Sequence, residues 1–138
     1  AVVLTKANED LRIVGISLQV AKLNIEGNTN LIIQCGTTKI INIVIYNDDD
    51  TIYALESGDK LIFGVKKSLS ATDYAIKKVS TSDSKDGDGY NITLEPADTQ
   101  NLLGNYLYEV ALQTASGEYY IVIDCSEFVV TNTLTQKE

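Results

Sequence analysis

The stretch SKDGDGYNITLE, Ser84 to Glu95, has the spacing in this chain that most resembles a metal site. Asp86 and Asp88 alternate as oxygen ligands do in a helix-flanked calcium loop, Gly89 follows, and Glu95 stands where the last ligand would be. Ser84 replaces the first carboxylate, and the segment leaving the loop alternates like a strand. A hairpin loop carrying solvated charge accounts for it better, so no metal is expected. Asp48, Asp49 and Asp50 in NDDDT read as a polar turn. Cys35 and Cys125 are the only cysteines and have no metal-ligand spacing. They read as small, buried, reduced side chains. The alternative is a disulfide closing a loop of about 90 residues, worth about 4–5 kcal/mol in the chain-entropy model.

Histidine is absent, which removes Ser–His and Cys–His couples and any histidine-based zinc site. Nothing pairs two carboxylates for glycoside hydrolysis, and the Trp platforms usual in such enzymes are missing. Asn91 heads an NIT sequon, meaningful only in a chain secreted by a eukaryote. No catalytic, cofactor-binding or metal-ligating residue is assigned, no cofactor is expected, and the chain is not expected to be an enzyme.

A chain of 138 residues fits one domain with a small appendage. Its formal charge is −8, with the acidic residues spread along the sequence. No basic face is visible that could displace phosphate counterions, so neither nucleic acid nor an anionic membrane is an expected partner. No apolar run approaches the roughly 18 residues of a membrane span. Residues 1–5, AVVLT, lack the basic flank and length of a signal peptide. The absence of Met suggests a trimmed or processed chain.

Period-2 alternation dominates the elements that would position any site. NYLYEVALQ sets Tyr106, Tyr108, Val110 and Leu112 on one face, and KLIFGVKK does the same with Leu61, Phe63 and Val65. EYYIVIDC puts Tyr119, Ile121, Ile123 and Cys125 in one register. Phe128 and Val130 have the opposite parity, so a bulge near Ser126-Glu127 is expected to return them to the core. Ser116-Gly117 marks a hairpin turn between two of these strands. KIINIVIY is apolar on both faces, as in a central strand covered on two sides. LIIQC, YAIKKVS and YNITLE complete a set of seven or more short strands. Pro96, the single proline, cannot donate to a ladder and should end its strand at Glu95. ADTQNLLG should then form one helical turn, capped by Asp98 or Thr99 and ended by Gly104 in a left-handed conformation. Leu102 and Leu103 would plug the end of the structure. The eight tyrosines read mostly as core or sheet-face residues, with an exposed subset available as a contact surface.

Residues 1–27 stand apart from this strand count as an N-terminal extension, and 28–138 form the main domain. Val14, Ile16, Leu18 and Val20 alternate, which favours a strand, although Leu11, Val14, Leu18, Ala21 and Ile25 also fit a helical stripe. So apolar a face should add to a sheet edge, its own or a neighbour's, and is expected to mediate homo-oligomer formation. The architecture expected is all-β: an antiparallel sandwich with Greek-key connections and this extra segment.

From Leu31 to about residue 131 the signals resemble the immunoglobulin-like N-terminal domain of siphophage baseplate upper proteins and related phage tail and prophage proteins. The segments that carry the resemblance are GTTKIINIVIYNDDDTIYAL, KLIFGVKKSLSATDYAIKK, GDGYNITLEPADTQNLLGNYLYEVALQTASGEYYIVI and SEFVVT. The most specific is the alternating strand ending in Leu-x-Pro, followed by Asp-Thr, Leu, Gly and Tyr-x-Tyr-x-Val. FGVKK before SATDYAI is next. The resemblance implies an immunoglobulin-like fold and a virion structural module, assembled in the bacterial cytoplasm. Such a module docks a receptor-binding apparatus to other tail or baseplate proteins. Residues 1–30 extend beyond the usual start of that domain. The competing expectation is a carbohydrate-binding or adhesive sandwich of a bacterial surface protein, which would display exposed aromatics on a concave face or hold calcium in the Asp-rich loops.

Overall fold

The computed structural model describes residues 2–4, 11–18, 21–23, 30–47 and 51–135. Strands form where the alternation runs: β1 (Val2–Leu4), β2 (Leu11–Leu18), β3 (Ala21–Leu23), β4 (Leu31–Gln34), β5 (Lys39–Asn47), β6 (Lys60–Lys66) and β7 (Ile76–Ser80). They are followed by β8 (Lys85–Asp86), β9 (Gly89–Leu94), β10 (Gly104–Gln113) and β11 (Tyr119–Thr131). Among the described residues helix is confined to α1 (Pro96–Thr99) and a single 3-10 turn at Ser82–Ser84. The protein is therefore mostly β, in two sheets.

One sheet runs β1-β2-β5-β9-β8, with β3 pairing the other end of β2. The second runs β4-β11-β10-β6-β7. The N-terminal strand β2 lies antiparallel to β5, from Leu11 opposite Asn47 to Leu18 opposite Ile41. Of the two edges open to it in the sequence reading, it takes its own sheet's. The expectation of purely antiparallel sheets is corrected at β4, which runs parallel to β11 from Leu31 opposite Phe128 to Gln34 opposite Thr131. A parallel pair needs a long crossover. Here everything between β4 and β11 supplies it.

Both sheets feed one core. Ile41, Ile43 and Ile45 of β5 and Tyr90, Ile92 and Leu94 of β9 come from the first. Leu61, Phe63, Val65, Tyr108, Val110 and Leu112 come from β6 and β10 at the parity expected. Phe63, Tyr108 and Phe128 form an aromatic triangle with centroids 5.3–6.1 Å apart, two of its three pairs edge-on. The other face of β5 is only half-buried at Ile40 and Val44, so that strand is central without being covered on both sides.

β11 departs from the simple alternation. Its register against β10 slips twice, between the Tyr108–Ser126 and Val110–Ile123 pairs and again before Ala111–Ile121. Each slip inserts one residue into β11, and two insertions together restore the original parity. Tyr120, Val122, Phe128 and Val130 therefore all point inward, joined by Ile123 between the slips. Tyr119 and Cys125, expected on the inner register, are exposed, and Ile121 is half-buried. Such bulges bend a strand, consistent with the curl of the mixed sheet into a half-barrel.

The crossover after β9 follows the proline. Glu95 is the N-cap, Pro96 occupies the first turn, and Asp98 reaches back to accept the Glu95 N–H at 2.7 Å. Asp98 thus closes the cap from the third helical position, and also pairs with Lys78 at 2.8 Å. Thr99 is fully buried, with its hydroxyl accepting the Gly36 N–H at 2.9 Å. Leu102 is half-buried, whereas Leu103 is exposed and does not plug the end. Gly104 has φ +101° where the chain turns into β10, the left-handed conformation expected of it.

Candidate functional site

The outward face of the five-stranded sheet and the loop before β7 carry Leu69, Tyr74, Val79 and Tyr119, four of the exposed large apolar side chains among the described residues. Cross-strand partners set Val79, Ile62, Ala111 and Ile121 in one row across β7, β6, β10 and β11. On one side of that row lie Lys60, Gln113 and Tyr119; on the other lie Lys77, Gly64 and Glu109, then Lys66 and Leu107. Alternation forces this arrangement, because the residues between Leu61, Phe63 and Val65 must face away from the core. Tyr119 is 57% exposed, Tyr74 48%, Val79 48% and Leu69 80%.

The loop from Lys67 to Ala75 folds back over this face, with Tyr74 lying against Gly64. A Cβ at residue 64 would sit 2.6 Å from Tyr74 Cε1, so only glycine lets the ring approach this closely. The Lys66 and Lys77 ammonium groups lie 4.8 and 5.4 Å from the Tyr74 ring centroid. Between loop and sheet is a cleft of about 150 Å³ lined by Ile62, Leu69, Tyr74, Leu107, Ala111 and Tyr119, with Glu109 and Cys125 also reaching it. Partial burial, then Glu109 and Tyr74, push the Tyr119 hydroxyl pKa up. Partial burial, then Glu109 and Asp124, do the same to the Cys125 thiol, which stays protonated and weakly nucleophilic.

Gly64→Ala should leave the fold intact, because the obstructing atoms belong to a side chain that can swing outward. Stability is expected to change by less than about 1 kcal/mol, while the Tyr74 ring resonances move and the 67–75 loop becomes more sensitive to protease. Unchanged Tyr74 resonances would contradict this packing.

The residues singled out in the sequence do not assemble into a second site. Asp86 ends β8 opposite Gly89, and Asp88 lies within the tight turn of the β8–β9 hairpin. Asp86 accepts from Asn91 Nδ2 at 3.2 Å, and Glu95 lies at the far end of β9. No group of three or more His, Cys, Asp or Glu residues is placed to hold a metal ion among the described residues. Thermal melts in calcium and in chelator should coincide, since a ligand binding only the folded state would raise the midpoint; a rise of several degrees would restore a calcium role. Asn91 is half-buried and hydrogen-bonded to Asn42 at 2.8 Å. Asp48 to Asp50 lie outside the described residues. Cys35 and Cys125 are unbonded, Cys35 half-buried with its thiol donating to Thr99 O at 3.2 Å. Cys125 is not the buried residue expected, because the slips in β11 leave it facing outward.

At the opposite end of β6 the sequence concealed a buried carboxylate. Asp59, 2% exposed, accepts Tyr53 Oη–H at 2.8 Å and Glu56 N–H at 3.0 Å on one oxygen, and Ala115 N–H at 2.9 Å on the other. It ties the loop before β6 to the β10–β11 hairpin. In the sequence Asp59 looks like part of a polar ESGD turn, with no pattern to mark its burial.

Comparison with protein-family models and with curated proteins finds no match to this chain.

Proposed function

We propose that the chain is an immunoglobulin-like structural module of a phage tail or baseplate, or of prophage origin, that works by protein–protein contact. Its strand order supports the fold: β4-β11-β10-β6-β7 corresponds to A′-G-F-C-C′ and β5-β9-β8 to B-E-D, with β2 beside B where strand A lies. The connections from β5 to β6 and from β9 to β10 cross between sheets, as a Greek key requires. The observation that carries the function is the apolar cross-strand row and the cleft beside it on the outward face of the A′GFCC′ sheet. Its cleft of about 150 Å³ is well below the roughly 300–1,000 Å³ of small-molecule sites. One large side chain of a partner fits it. Self-association through residues 1–27 belongs to the same reading, with β1 and β3 forming the outer edge beyond β2.

Exposed Tyr119 favours the second reading, carbohydrate binding. Against it, Tyr74 already lies on Gly64 and is engaged by two lysines, which leaves one open aromatic platform. The test is sedimentation of particles from the producing bacterium followed by mass spectrometry. The chain should travel with tail-sized particles. Its absence from them, together with glycan binding by the purified protein, would replace the first reading with the second.

A further inference from the structure

Where the α1 crossover turns into β10, three segments enclose a cavity of about 380 Å³ that the docking reading leaves unused. Gly36 lines it from the turn after β4, Gln100, Asn101 and Leu103 from the end of α1, and Asn132 and Thr133 from the chain beyond β11. Hydrogen bonds fix these walls to one another. The Gly36 N–H donates to the Thr99 hydroxyl at 2.9 Å, the Cys35 thiol to Thr99 O at 3.2 Å, and the Cys35 N–H to Thr131 O at 2.7 Å. No charged side chain lines the cavity, and among the described residues the side-chain amides of Gln100 and Asn101 have no hydrogen-bond partner.

The volume falls within the roughly 300–1,000 Å³ of small-molecule sites, but such sites are mostly apolar and this one is mostly polar. An ionic ligand would give up its hydration there without a counter-charge. An extended peptide needs a row of backbone groups along a strand edge, which three enclosing segments do not offer. A carboxamide carries both an acceptor and donors, and so does a hydroxyl. A ring bearing several hydroxyls is therefore the ligand whose groups match this lining.

We propose that this cavity binds one ring of an uncharged sugar, its hydroxyls on the carboxamides of Gln100, Asn101 and Asn132 and its C–H groups against Leu103. No aromatic side chain lines the cavity, so the ring has no stacking platform and affinity is expected in the millimolar range. The site is separate from the cleft on the five-stranded sheet, with which it shares no lining residue. It stands whether or not that face docks a partner, and Tyr119 has no part in it.

Amide NMR titration of the full chain with glucose, galactose and N-acetylglucosamine tests it, with glycerol and acetyl-trialanine amide as comparison ligands. At least one sugar should shift the Gly36, Asn101 and Thr133 amide signals in a saturable way. Gln100→Ala with Asn101→Ala should weaken that sugar at least about 10-fold, because two hydrogen bonds to it are lost, and thermal melts check that the variant folds. No saturable shift at these residues with any of the three sugars overturns the proposal. Glycerol binding as tightly as the best sugar also overturns it, since no ring would then be recognised. Saturation by the peptide and by no sugar would assign the cavity to main-chain recognition and overturn it. Unchanged sugar affinity in the folded double variant does the same, as does loss of binding in Tyr119→Ala, which would place the sugar on the sheet face.

Discussion

Phe63→Ala is expected to lower the unfolding free energy by about 3–5 kcal/mol, the range for removing a buried aromatic ring. Phe63 is fully buried on β6 and touches both other rings of the triangle, Tyr108 at 5.3 Å and Phe128 at 6.1 Å between centroids. Each ring pair adds about 0.5–1.5 kcal/mol beyond burial. The strands on either side are fixed by their ladders, so the cavity cannot close cheaply. A domain of this size is stable by only about 5–15 kcal/mol, so the loss is a large fraction of the whole. Urea unfolding should show a lower midpoint at an unchanged slope. A loss below about 1 kcal/mol would mean that the triangle is not packed as described.

Asp59→Ala should cost about 2–4 kcal/mol. It removes the acceptor of three part-buried donors, the Tyr53 hydroxyl and the Glu56 and Ala115 amides; an unsatisfied buried donor costs about 1–3 kcal/mol, and water reaching the two exposed loop amides keeps the total below three such penalties. Asp59→Asn keeps one acceptor oxygen and should lose less. The Tyr53 hydroxyl carries a related pH dependence. Burial, then its hydrogen bond to Asp59 and the surrounding carboxylates, raise its pKa above the ordinary 10.0. The neutral phenol is favoured in the folded state, so this stability is fully present below the unfolded value and is lost as pH climbs toward the folded one. Equilibrium unfolding as a function of pH should show stability falling above about pH 10. Tyr53→Phe should flatten that limb. An unchanged alkaline limb in Tyr53→Phe would assign the dependence to other groups, with Tyr119 and Cys125 next in line.

The sequence exposed β6 and β10 almost completely, because both are regular two-faced strands whose inward residues are all apolar. β11 was harder. Its odd positions are as apolar as its even ones, and a double slip leaves no trace in hydrophobic periodicity, so Tyr119 and Cys125 were expected inside. The parallel pairing of β4 was equally hidden, since Leu31 and Ile33 would alternate in the same way beside any neighbour. Eight tyrosines pointed to a contact surface without separating buried Tyr90 and Tyr108 from exposed Tyr74 and Tyr119. For Tyr74 that separation depends on Gly64, whose missing side chain makes room for a ring ten positions away. Asp59 was invisible for a similar reason: its partners are two backbone amides and one phenol, contributed by two loops.

We propose above that the outward face of the five-stranded sheet is a docking face. Hydroxyl-radical footprinting of the free chain and of the same chain in purified particles measures this directly. Labelling of Leu69, Tyr74 and Tyr119 should fall several-fold in the particle, while exposed Leu103, which does not line the cleft, is labelled as before. Equal labelling of Leu69, Tyr74 and Tyr119 in both states, with protection elsewhere, would contradict it.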